Sequence, residues 1–117
     1  MHRRQKVVKI KTLVTFYTTG KAVEIEMYKV SPYTVQVTVV YRNFKKIWGF
    51  ASWDNLWSCL FLPQGSSMSF EHHAFNKISH PKREWSNHLK LHFESKDKKR
   101  KVKVKWKDFR EALLAIK

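Results

Sequence analysis

In the first half of the chain apolar and polar residues alternate, the period of a strand with one buried face. From Lys6 to Tyr17, Val8, Ile10, Thr12, Val14 and Phe16 fall on one side and Lys9, Lys11, Thr15 and Tyr17 mainly on the other. Thr18-Thr19-Gly20-Lys21 supplies a tight turn, with Gly20 able to take positive φ, and Val23, Ile25 and Met27 then alternate with Glu24 and Glu26. A two-residue turn at Thr19-Gly20 sets Phe16 opposite Val23 and Val14 opposite Ile25, so the two apolar faces agree in register. The pattern predicts a hairpin. Pro32 ends its second strand. Tyr33, Val35, Val37, Val39 and Tyr41 mark a third strand, Arg42-Asn43-Phe44-Lys45 a turn, and Lys46 to Ala51 a short fourth strand carrying Ile47, Trp48 and Phe50.

The period then lengthens to 3.6. Behind Ser52, a suitable N-cap, Trp53, Leu56, Trp57, Leu60 and Phe61 form one helical stripe that Pro63-Gln64-Gly65-Ser66-Ser67 stops, the best place for a hinge. Met68 and Phe70 begin another strand, while Glu71 to Ser79 carries no clear period. Trp85, Leu89, Leu91 and Phe93 alternate with Glu84, Ser86, His88, Lys90 and His92. A polar loop from Ser95 to Arg100 follows, and Val102, Val104 and Trp106 alternate with Lys101, Lys103 and Lys105 on the returning strand. Asp108 and Glu111 have the spacing of a capping box for a closing helix whose stripe is Phe109, Leu113 and Ile116. Both halves thus end in a short strand with a tryptophan and a capped amphipathic helix, Ala51 to Leu62 and Val104 to Lys117, as an internal duplication would. The expected fold class is α+β: a mostly antiparallel sheet with two short amphipathic helices packed on one face, in two β-rich halves that each close with a helix.

Strands followed by a helix, given twice with a tryptophan near each helix start (Trp53 in Ser52-Trp53-Asp54-Asn55-Leu56, Trp106 in Trp106-Lys107-Asp108-Phe109), resemble the single-stranded nucleic-acid-binding group of transcriptional coactivators and Whirly proteins. The resemblance implies a strand face that binds single strands.

Length and composition narrow the class. A chain of 117 residues fits one domain spanning residues 1–117, because two cores of about 60 residues each would be marginal. With 43% apolar and 15% aromatic residues it is expected to fold rather than behave as a charged tail. Cys59 is the single cysteine, which excludes an intrachain disulfide and points to a reducing, intracellular and cytoplasmic home. Lys9 and Lys11 interrupt the apolar run after the basic start, so no secretory signal is expected, and no apolar stretch approaches the roughly 18 residues that span a bilayer. Lys98-Lys99-Arg100-Lys101-Val102 resembles a nuclear-import signal, which would apply in a eukaryote. Against 24 Lys and Arg stand 9 Asp and Glu, a net charge of +15 whose self-repulsion calls for a polyanion. Nucleic acid is the first candidate partner. No membrane partner is expected, because the polar faces of the two helices are not basic enough to favour headgroups.

The charge is unevenly placed. Between Lys96 and Lys107 eight of twelve residues are Lys or Arg, with Asp97 the one acid. On a strand, Lys101, Lys103 and Lys105 point the same way at a spacing of roughly 6.6 Å, near the phosphate repeat of an extended single strand. Lys90 and His92 share that face if the hairpin pairs as drawn; Lys98, Lys99 and Arg100 extend it into the loop, and Lys9 and Lys11 lead a second basic segment. Tyr17 and Tyr28, on the polar face beside Lys9 and Lys11, are the candidates for stacking on unpaired bases, whereas Trp53, Trp57 and Trp106 belong to the core. These features predict a non-enzymatic nucleic-acid-binding protein that favours single-stranded DNA or RNA, holds phosphates, and reads little sequence, because lysines act as point charges. Two other readings use the same residues. Glu71-His72-His73, Asn87, His88 and His92 follow the acid, His, Asn, His order of metal-dependent HNH nucleases, although Asn87 to His92 is short for the intervening helix. A protein-interaction module, such as an inhibitor of phage or mobile-element type acting on a nucleic-acid-associated partner, carries the same charge, and self-association is open to it. No metal or other cofactor is expected, and Cys59, without a His partner, reads as a buried structural thiol.

Overall fold

The alternating runs become two antiparallel sheets in the computed structural model, which describes residues 9–18, 21–41, 46–70, 74–82, 88–95 and 98–117, with 9–18, 21, 22 and 98 described through their backbone. The elements are β1 (Lys9–Thr18), β2 (Lys21–Lys29), β3 (Thr34–Val40), β4 (Lys46–Ser52), α1 (Trp53–Cys59), β5 (Ser67–Ser69), β6 (Phe75–Ser79), β7 (His88–Ser95), β8 (Lys98–Lys105) and α2 (Trp106–Ala115). The first sheet has the order β1-β2-β3-β4 and the second β5-β6-β7-β8, so the described residues run through four strands and a helix twice. The class is α+β. Where one covered sheet was expected, the strands divide into two, because α1 and the turn after it separate β4 from β5. The sheets meet along two borders, β1 against β8 and β4 against β6 and β7, and a single apolar core lies on their inner faces together with both helices.

Register in the first sheet follows from matched apolar faces. Val14 stands opposite Ile25 and Phe16 opposite Val23, as a two-residue turn requires. An irregularity between Ile10 and Val14 interrupts the ladder, where four residues of β1 advance against two of β2, a break that uninterrupted alternation did not foretell. Next to β2 runs β3, whose Val35, Val37 and Val39 are fully buried, each worth roughly 1.5 to 3 kcal/mol of transfer free energy.

The second sheet has an aromatic interior. Phe75 and Phe93 stack with ring centres 4.8 Å apart, and Phe70 tilts against Phe75 at 4.9 Å. A register shift between Phe75 and Lys77 lets Phe75 and Ile78, three residues apart, both face inward, which is why Glu71 to Ser79 shows no clean period. Ser95 pairs with Lys98, so Lys98 to Arg100 belong to β8 rather than to the polar loop expected there.

Ser52 caps α1 as predicted, its Oγ accepting the Asn55 N–H at 3.1 Å. That helix ends at Cys59, not Leu62: the Leu60 N–H bonds back to the Trp57 carbonyl, and Phe61 leaves the apolar stripe, 65% exposed and edge-on to Trp57. At the second helix the capping box proposed for Asp108 does not form, because α2 starts two residues earlier, at Trp106, with Lys105 as an N-cap that makes no side-chain bond. Asp108 instead sits in the first turn, where its charge suits the helix dipole. The tryptophans that open the helices clasp them together. Trp53 donates its indole N–H to the Leu113 carbonyl at 2.9 Å, and Trp106 donates to the Leu60 carbonyl, so the first residue of each helix reaches the far end of the other. The connection after α1 is also tied: the Gly65 N–H, in a residue at φ 84°, bonds to the His80 carbonyl at 2.7 Å, and His80 Nδ1 donates to the Leu62 carbonyl at 2.8 Å.

Candidate nucleic-acid interface

Alternation along β8 buries Val102 and Val104 and turns Lys99, Lys101, Lys103 and Lys105 to the other side. The ladders extend this side across the sheet. One row runs Ser67, Ser79, Lys90, Lys103 and the next Ser69, Lys77, His92, Lys101, with His88 opposite Lys105. Neighbours in a row are about 4.8 Å apart and successive lysines on β8 about 6.8 Å, so the outer face is a lattice of ammonium groups. Among the described residues its one acid is Glu94, at the end of β7, whose carboxylate accepts a hydrogen bond from Asn76 at 3.0 Å.

His92 reports the field of this lattice. Its pKa is lowered to about 4, first by burial and then by the charges of Lys77, Lys101 and Lys90, so the ring is neutral at pH 7. Its Nε2 lies 2.7 Å from Ser79 Oγ. Burial is the larger cause of that shift, and the three lysines that add to it are the same cations that would neutralise phosphates and release the cations condensed on a nucleic acid.

The expected residues divide between the two sheets. Lys90, Lys99, Lys101, Lys103 and Lys105 come together on the second. Arg100 belongs by alternation to the other side of β8, opposite Phe93, and its charge acts on Tyr41, whose pKa burial raises and Arg100 lowers. Lys98, paired with Ser95, shares that parity. Lys9 lies on β1 opposite Tyr28, in the first sheet, and Lys11 falls inside the register shift, without a partner among the paired residues. Tyr17 stands opposite Ala22, at the far end of the hairpin from Tyr28, so the two tyrosines do not share one site. Lys77 was missed in the sequence because the shift in β6 hides its parity.

On the first sheet the outer face is of another kind. Trp48, 41% exposed, meets Phe50 edge-to-face at 5.3 Å, with Lys46 at the start of β4 and Glu24 and Glu26 two strands away on β2.

Of the nuclease pattern, Glu71, His72, His73 and Asn87 lie outside the described residues, and His88 and His92 stand on β7 with Lys90 between them. Among the described residues no group of three or more His, Cys, Asp or Glu gathers. Cys59 is buried with its pKa pushed up to about 12 by burial, its Sγ 3.6 Å from Met68 Sδ, an inert thiol. No helix among the described residues is long and apolar enough to cross a membrane. Neither a protein-family model, nor a curated protein, nor a solved structure matches the chain.

Proposed function

We propose that the protein is a non-enzymatic nucleic-acid-binding protein that favours single strands and holds them chiefly by phosphate contacts on the outer face of the second sheet. The observation that carries this reading is the lattice itself: Lys77, Lys90, Lys101, Lys103 and Lys105 on one face, with Glu94 the one described acid there. The spacing along β8 suits an extended backbone, and four strands and a helix, given twice, is the element order on which the resemblance to Whirly-type single-strand binders rests. Lysines set affinity rather than sequence.

Salt titration of a labelled oligonucleotide tests it. If about five phosphates are neutralised, log K falls with log salt at a slope of about −3.5, and affinity drops roughly a hundredfold between about 50 and 200 mM salt. Changing Lys101, Lys103 and Lys105 together to Glu abolishes binding and flattens the slope. A slope near zero, or full binding by that variant, sinks the proposal; tight capture of a protein in nuclease-treated extract with no oligonucleotide binding would turn the reading toward an interaction module.

A further inference from the structure

Building on that reading, we infer that the outer face of the first sheet is a base-stacking surface for the same strand whose phosphates lie on the second sheet, and that this contact separates single strands from duplex. The ladders align Lys9, Tyr28, Gln36 and Phe50 in one row across four strands, a span of about 14 Å. Trp48 lies two residues from Phe50 on the same side of β4 and is 41% exposed.

The chemistry of this face inverts that of the lysine lattice. Glu24 and Glu26 stand on the same side of β2, since Val23, Ile25 and Met27 are the buried ones. Carboxylates repel phosphate but accept hydrogen bonds from base amino groups, and the rings of Trp48 and Phe50 offer a surface to any unpaired base. Bases therefore face inward here and phosphates outward. On the second sheet, where lysines take the phosphates, His88 and His92 are the only rings on the described outer face.

A path joins the two surfaces. β8, with Lys101, Lys103 and Lys105, lies against β1, where Lys9 opens the row that leads to Tyr28 and Phe50. The sheets enclose the core between them, so their outer faces point in different directions and a ligand must bend over this border to touch both. A single strand bends over a few nucleotides. A duplex, with a persistence length of about 50 nm, does not, and stays on the lysines.

Fluorescence anisotropy of the full chain tests this with three labelled probes: deoxythymidine oligomers of about 4 and about 20 nucleotides, bracketing the known site sizes of single-strand binders, and a duplex of the longer length. Trp48→Ala is expected to weaken the long single strand about 5- to 100-fold, to leave the duplex and the salt slope unchanged, and to affect the short oligomer little. Trp48→Phe, which keeps a ring, retains most of the affinity and guards against a folding defect, as does an unchanged melting curve. Equal loss for single strand and duplex, or no loss for the long oligomer, overturns the inference. Salt-dependent binding that ignores Trp48 leaves the lysine reading standing, whereas no binding of any probe by the unaltered protein overturns both.

Discussion

Valine, isoleucine and methionine line the inner face of the first sheet, where Val23, Ile25, Met27, Val35, Val37 and Val39 are buried, whereas the second sheet turns Phe75 and Phe93 inward among leucines and valines. The outer faces differ still more, rings and two glutamates against a field of lysines. Yet strand order and closing helix are the same. The period of two explains how both hold at once, since odd and even residues of a strand meet separate environments. Inward residues fix the ladder and the core; outward ones are free to carry a ligand.

The largest expected effect lies in the core. Phe93→Ala removes a ring stacked on Phe75 and leaves a cavity, at a cost of about 3 to 5 kcal/mol, while Val37→Ala at the centre of the first sheet costs about 2. Urea unfolding of both variants gives the ratio. If Val37→Ala is as damaging as Phe93→Ala, the aromatic interior is not what distinguishes the second sheet.

The clasps predict symmetry where the cores predict difference. Trp53→Phe and Trp106→Phe each leave a carbonyl without its indole donor, and each is expected to cost about 1 to 2 kcal/mol. Denaturation of both single variants and of the pair checks it. A large gap between the two single variants would show that the halves do not lean on each other equally.

These contrasts show what the sequence makes legible. The first hairpin was readable because Phe16 with Val23 and Val14 with Ile25 agree in parity on both sides of a glycine turn. Lys101, Lys103 and Lys105 of β8 were readable for the same reason, as Val102 and Val104 fix the alternation, whereas Lys98 and Lys99 read as loop. β6 was not, because its register shift puts Phe75 and Ile78 on one side at a spacing of three and conceals Lys77. β5 was readable from Met68 and Phe70, although the strand stops at Ser69. That the strands form two sheets depends on which borders meet across the core, and no local pattern records it. Trp48 and Phe50 were visible as strand aromatics, but only the rows across β2, β3 and β4 set Phe50 next to Gln36 and, two strands away, in line with Tyr28, and Trp48 in line with Glu26.

The electrostatic difference between the faces has its own measurement. His92 titrates near pH 4 rather than 6.5, so the folded state binds this proton less readily than the unfolded chain does. The stability it contributes is present above pH 6.5 and is lost as pH falls from 6.5 toward 4. Followed by NMR, Lys77→Gln and Lys101→Gln are expected to raise the His92 pKa, though burial, the larger cause, keeps it below 6.5. Lys46→Gln, on the first sheet, leaves it in place. Equal shifts from all three variants would mean that the whole charge of the chain, and not the lattice around His92, sets the field.

The smallest effect concerns how each half makes its first connection. Between β1 and β2 the chain places Gly20, but between β5 and β6 it brings Ala74 to φ 68°, in the left-handed region where a Cβ crowds the following carbonyl. The residue is held there by the ladder, since its carbonyl accepts the Glu94 N–H at 2.6 Å. Relief of the strain by Ala74→Gly is worth about 1 to 2 kcal/mol, offset by about 0.5 to 1 kcal/mol because glycine gives the unfolded chain more freedom. A net gain of about 0.5 to 1 kcal/mol is expected, which raises the melting temperature by a few degrees in a domain of this size. A melting temperature that falls in Ala74→Gly would mean that the methyl group makes contacts that outweigh the backbone strain, and that the second half has tuned this turn around alanine.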